Sequence, residues 1–519
     1  MSGPVKLFLG IFLAVSLICP LGGMLLSMAE TGIGDVVSSP QFRAALRHSV
    51  IAAGTGTVIS IFCAWFFALA VVRSRMRFRT IFAVLGTVPM LIPSISHGMG
   101  LVLLLGSNGI LTRLCKLPQA IYGFWGIAAG SVLYAFPVAF LMLADILTYE
   151  DGSPYEAATV LGIPKSRQFA AITFPYLRKP LISVVFAVFT LIFTDYGVPL
   201  MVGGRYTTLP VLMYQEVIGL LNFSRGSVIG SFLLIPALAA FLFDVLNKDR
   251  GSHSFTVQAR AVGENRLRDW AAAVYCTAVC VIIALPLAVF AVLSFISRYP
   301  TDMSFSLANI TRTMRLGAGR YLVNSVLIAL AVSLLGSALA YTLACFTART
   351  GGKSSKVLHL ISITSLAVPG LVLGISYVLF FKTSFLYDTL AMLVLVNIIH
   401  FMASPYLMAY NSLGKLNPHL EDVGLTLGVR RLFIIRDVLI PQTRLTILEM
   451  ASYFFVNSMM TISAVSFLST VWNKPVSLMI TQFEAQLFLE GAAFVSILIL
   501  GCNLIVKLLI YMVKRFSAE

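Results

Sequence analysis

The chain has 519 residues, 58% of them hydrophobic and 11% charged. A soluble globular protein runs at about 45–50% apolar and about 25% charged, so a disordered chain, a collagen-like fibre and a small disulfide scaffold are excluded, and an ordinary soluble enzyme of this composition would be nearly all core with no surface. The net charge of +16 lies in short basic runs between long apolar stretches. That pattern reads as membrane topology, not as a nucleic-acid-binding face.

A helix needs about 20 apolar residues to cross a hydrocarbon core of about 30 Å. Twelve stretches qualify: 5–28, 48–72, 80–105, 121–148, 180–202, 227–246, 270–296, 322–347, 356–381, 389–413, 445–470 and 491–513. The period-two alternation of a membrane β-barrel does not recur. The first stretch is longer than a signal-peptide core, and Ile18 before Cys19 spoils a lipobox, so it is read as a membrane helix. With the N-terminus inside, 25 of the 37 Lys and Arg residues fall on the inner side. This predicts that both termini are cytoplasmic.

The chain repeats itself. His48-Ser49-Val50 opens the second stretch and Asn324-Ser325-Val326 the eighth. Pro93 with Gly98 matches Pro369 with Gly374 at the same offset of 276, and these four are expected to break or bend their helices. Phe136-Pro137 is echoed by Ser404-Pro405. The expected architecture is therefore all-α and polytopic, with about twelve spans in two pseudo-symmetric halves. The first unit is 1–246 and the second 270–519, joined by a polar cytoplasmic linker, 247–269.

Two polar loops carry the same spacing. After the fourth stretch stands Glu156-Ala157-Ala158-Thr159-Val160-Leu161-Gly162, followed by Ile172, Phe174 and Pro175. After the tenth stands Asp422-Val423-Gly424-Leu425-Thr426-Leu427-Gly428, followed by Val438, Ile440 and Pro441, at a constant offset of 266. Each reads as a helix, a glycine turn and a second helix. Ala157 and Ala158 would keep the first helix slim enough to enter a groove. Gly162 and Gly428 would supply the positive φ of the turn. Pro175 would let the second segment end before the next span.

The first loop closely resembles the EAA loop of permeases from binding-protein-dependent ABC importers. The second departs from it at Asp422, Val423 and Gly424. The resemblance covers nearly the whole chain as two fused permease units of the type I fold. It implies that Glu156, Ala157, Ala158, Gly162 and Pro175, with Asp422, Gly424, Gly428 and Pro441, couple to ATPase subunits. Two copies of a cytoplasmic ABC ATPase would dock there and carry the ATP and magnesium; this chain would bind no cofactor. It further implies a periplasmic or lipid-anchored substrate-binding protein outside and a bacterial inner-membrane location. Fused permeases of this group serve ferric iron, thiamine, putrescine and 2-aminoethylphosphonate. The stretch from Phe193-Thr194-Asp195-Tyr196-Gly197 through Gln215-Glu216 to Ile235-Pro236 resembles putative 2-aminoethylphosphonate permeases, which makes an organophosphonate the first expected substrate, ahead of ferric iron, a polyamine or thiamine.

Other motifs carry less. Gly351-Gly352-Lys353-Ser354 ends like a Walker A loop, but Thr347 stands where its first glycine belongs, so no ATP site is expected. The seven cysteines and six histidines form no catalytic or metal pattern. No catalytic residue is assigned, and the chain reads as a transport subunit, not an enzyme. Asp195 inside the fifth stretch, and Asn457, Ser458 and Thr461 in the eleventh, are candidates to line a translocation pathway. The alternative is an ion-coupled secondary transporter, which also uses repeats and broken helices and would depend on Asp195.

Overall fold

A computed structural model describes residues 2–116, 121–246, 262–417 and 419–518. Most of the expected linker, 247–261, lies outside the described residues. Its end does not behave as a linker, because 266–269 already belongs to the helix Arg266–Ser294. Among the described residues, nine helices are long and apolar enough to cross a membrane, or eleven if each of two bent pairs counts as one span. The chain is thus an all-α membrane protein with one small β-hairpin, Ile296–Arg298 paired with Asp302–Phe305. Asn309 braces that hairpin by donating to the carbonyls of Ile296 and Ser297.

Three expected spans are corrected. The third, 80–105, is two helices, Arg79–Leu91 and Ser94–Cys115. They part at Pro93, whose ring cannot continue a helix. The fifth, 180–202, is the last part of a longer helix, Ser166–Phe193, then a break, then the short helix Gly197–Val202. The eleventh, 445–470, is helical only over Arg444–Met460, 17 residues, and leaves helical geometry at Thr461 with ψ 134°. Hydropathy alone misses both breaks, because irregular backbone is tolerated at membrane depth wherever protein surrounds it. The breaks at Pro93 and Pro369 were legible. Lys353–Ala367 and Gly370–Phe381 meet at 110° across the second of them.

The chain divides into two compact units that do not follow the two sequence halves. One comprises Met1–Ser38, Met213–Leu234 and Ser294–Glu519; the other comprises Ser39–Leu212 and Ile235–Leu293. Each unit thus contains the first long helix of the opposite half. In the first unit, Gly3–Glu30 is held by Tyr377, whose hydroxyl donates to Ser16 O at 2.6 Å, and by a 2.8 Å bond between the Ser27 and Ser227 hydroxyls. In the second unit, Phe67 packs edge-on to Phe140 at 4.9 Å, and Tyr275 donates to Cys63 O at 2.8 Å. Lipid offers no hydrophobic drive between helices, so close fit and such hydrogen bonds carry the association.

Candidate functional site

The two repeated loops fold alike. Ser153–Val160 and Leu420–Thr426 are their first helices. Both helices close on a glycine in the left-handed region, Gly162 at φ +67° and Gly428 at φ +70°. The next amide reaches back across the turn, Ile163 N to Ala158 O at 2.9 Å and Val429 N to Gly424 O at 2.8 Å. This is the Schellman closure, in which glycine avoids a Cβ penalty and the last carbonyls find donors.

The side chains separate into two faces. Glu156, Ala157, Asp422 and Val423 are exposed, whereas Ala158 and Gly424 are buried. Ala158 therefore packs inward instead of slimming the outer face as expected. The departure at Gly424 has a steric cause: a Cβ there would stand 2.3 Å from Ile434 Cδ1. The turns present bare apolar side chains, with Val160 87%, Leu161 75% and Leu427 73% exposed.

Pro175 does not end its segment as expected. Pro175 sits within the continuous helix Ser166–Phe193. A widened π-turn, Phe169–Thr173, immediately precedes its segment, and Ile435–Leu439 does the same before Pro441. A wide turn relieves the clash between a proline ring and the preceding backbone.

The candidate pathway residues are divided between the two compact units. Asp195 belongs to one compact unit; Asn457, Ser458 and Thr461 belong to the other. The Asp195 carboxylate accepts from Gly197 N at 3.3 Å and Val198 N at 3.0 Å, and also bonds the Ser94 side chain. It caps the short helix Gly197–Val202. The adjoining cavity, bordered by Ser49, Ala53, Ile192, Pro199 and Thr208, measures about 10 Å³, room for about one water. Asn457 donates to Tyr453 O on its own helix, Ser458 is buried, and Thr461 O accepts from Ser477 Oγ at 2.7 Å. A cap needs an acceptor, not a charge. Asp195→Asn is therefore expected to keep uptake within a few-fold of the parent, while Asp195→Ala loses about 1 kcal/mol of stability. Uptake and thermal stability of the two variants check this; abolition of uptake by Asp195→Asn would instead mark a titrating carboxylate.

Gly98 and Gly374, expected to bend their helices, serve close approach. A Cβ at Gly98 would meet Met201 Cβ at 2.7 Å, and one at Gly374 would meet Ala464 O at 2.9 Å. In each half the chain after the broken helix thus presses against the helix that follows Pro93 or Pro369. The repeated dipeptides hold it from the other end. Ser49 Oγ accepts from Leu209 N and Ser325 Oγ from Val476 N, both at 2.7 Å. His48 Nδ1 lies 3.0 Å from Thr207 O, and Asn324 donates to Trp472 O and Lys474 O. Sequence reading saw these dipeptides only as markers of repetition. Their polarity at the mouth of an apolar helix was the signal that they bind backbone.

Residues 56–248 and 336–517 match the family described as the inner membrane component of binding-protein-dependent transport systems. The chain is similar to the ferric transport system permease protein FbpB of Actinobacillus pleuropneumoniae, 26% identical over 444 residues, 82% of this chain and 64% of that protein. It is also similar to the thiamine transport system permease protein ThiP of Escherichia coli (strain K12), 25% identical over 232 residues, 43% of this chain and 42% of that one. The sulfate transport system permease protein CysT of Salmonella typhimurium is 25% identical over 237 residues, 44% of this chain and 85% of that one. The chain thus spans less than two thirds of the ferric relative's length. The family match falls once in each sequence half and covers most of the chain, so this protein belongs to the family of binding-protein-dependent transport system inner membrane components.

Proposed function

We propose that the chain is the fused permease subunit of an ATP-driven importer, passing a small solute from an external binding protein to the cytoplasm. The observation that carries this reading is the pair of glycine-closed loop helices with bare apolar tips, built twice at the same place in the repeat. Two docking elements of like geometry suit two copies of one ATPase. ATP and magnesium belong to that partner, and this chain makes and breaks no bond of the solute. The binding protein is periplasmic or lipid-anchored, and both termini are cytoplasmic. Glu156 and Asp422 stand exposed on the loop helices, where a basic groove of the ATPase would meet them.

Ferric iron leads our substrate reading, because a ferric permease matches along most of the chain. Thiamine and then an organophosphonate follow. Asp195, Asn457, Ser458 and Thr461 remain our candidates for the pathway wall, each beside a helix break, the feature that lines routes through other transporters. The test is uptake by proteoliposomes carrying the chain, its ATPase and its binding protein. Uptake should require ATP inside and the binding protein outside. Uptake driven by a proton or sodium gradient without ATP would support the secondary transporter instead.

A further inference from the structure

The loop helices can pass a push into the membrane only if something rigid joins them to a membrane helix. Gly162 and Gly428 lie at the far ends of these helices, so the joint is sought at their beginnings. In the first half, the helix Pro40–Val72 ends on Arg73. The Arg73 guanidinium donates to Leu147 O at 2.7 Å and to Glu150 Oε2 at 2.5 Å. Glu150 is buried and also accepts from the Tyr155 hydroxyl in the first loop helix. Tyr155 in turn bonds Thr173 in the return arm at 2.6 Å. One guanidinium thereby joins a membrane helix, the end of Phe124–Thr148, the loop helix and the return arm.

The second half builds the same joint from different residues. Its long helix Ala308–Ala348 ends on Arg349, at the repeat position of Arg73. Arg349 donates Nε to Glu421 Oε1 at 2.7 Å and a second nitrogen to Oε2, a bidentate pair. It also donates to Leu413 O, the repeat counterpart of Leu147 O, to Leu416 O at 3.0 Å and to Asn417 O at 2.7 Å. The acid has moved: Glu421 occupies the place of Tyr155, and Leu416 that of Glu150. The side chains of Arg349 and Glu421 are 5% and 14% exposed. Burial alone would raise the Glu421 pKa, but the hydrogen bonds and charge of Arg349 outweigh it and hold the carboxyl below the ordinary glutamate range. An arginine at a helix C-terminus commonly binds the last carbonyls of its own helix. Here both arginines reach carbonyls of another helix and an acid bound to the loop, in both halves.

We infer that Arg73 and Arg349 are positioning residues that fix each loop helix to the end of the long helix before it, so that displacement of the loop by the ATPase moves the membrane segment as one body. This inference rests on the importer reading above. Two arrangements of side chains making one connection fit selection for the connection itself. At Arg349 the planar guanidinium fork suits it, because two parallel bonds to Glu421 resist rotation where one bond would pivot.

The experiment uses the full chain with its ATPase subunits and binding protein in proteoliposomes, reading ATP hydrolysis and uptake on one preparation. R73Q and R349Q should bind the ATPase and hydrolyse ATP, while uptake per ATP falls about tenfold, within the usual span of a coupling between sites. The exchange R349E with E421R should restore most of the ratio, and R349K should not, having lost the fork. An unchanged ratio in the R73Q/R349Q double variant would overturn the inference. Should R349Q fail to accumulate, R349K is read in its place, and full coupling there overturns it equally. A parent chain that recruits no ATPase would overturn the importer reading itself and this inference with it.

Discussion

Replacing Gly162 and Gly428 together with valine is expected to reduce uptake per ATP hydrolysed by about tenfold or more, a loss on the scale of typical intersite coupling, with normal amounts of protein in the membrane. The cause is backbone geometry. A Cβ at either glycine would meet nothing within 4 Å, so added bulk collides with nothing in the chain. Their φ angles of +67° and +70° are another matter. An L-residue held there costs about 1–2 kcal/mol, and a branched Cβ adds to it. The turn would relax toward negative φ, swinging the return arm and tilting the exposed tip of Val160, Leu161 and Leu427. Asparagine visits the left-handed region readily, so Gly162→Asn with Gly428→Asn should retain most uptake. Parallel assays of the two double variants separate backbone from bulk. Normal coupling in the valine pair would remove the turns from the mechanism.

Gly197→Ala is expected to have the larger structural effect. A Cβ at Gly197 would lie 2.4 Å from Ser94 Oγ and 2.7 Å from the backbone nitrogen of Ile95. The backbone cannot turn aside as a side chain can, and overpacking of this kind costs about 1–3 kcal/mol, occasionally more. The alanine would also pull the Asp195 cap away from the amides it holds. Gly370→Ala, the related site of the second half, meets Ser463 Oγ at 2.2 Å and Ala464 N at 3.1 Å. The serine hydroxyl can rotate, so this variant should be the milder. Thermal unfolding in detergent ranks the two: Gly197→Ala lowest, Gly370→Ala intermediate, the parent highest. Equal midpoints would mean that the two helix breaks of each half do not abut as described.

Parts of this architecture were legible because the residues responsible act locally. Pro93 and Pro369 break helices through their own rings. Gly162 and Gly428 close helices through their own φ. The loop spacing of 266 needed only counting. What stayed hidden depends on partners distant in sequence. The helix ends at Phe193 and Met460 lie within stretches as apolar as any span, and only the surrounding protein makes them tolerable. Asp195 looked like an intramembrane charge in search of a task; two amides just beyond it supply a structural one. Gly424 looked like a weakening of the motif until Ile434 explained it. Arg73 and Arg349 were visible only as topology signals, yet they share the 276 offset of the dipeptides that revealed the repeat. Pairing every polar residue by that offset would have singled them out.

The central claim is that the two loops recruit two ATPase subunits. The most direct test is to purify the tagged chain from its own membranes in mild detergent and determine the mass and composition of the complex. The account predicts a P-loop ATPase at two copies per chain. A complex with no ATPase, under conditions that keep known importers intact, would contradict it.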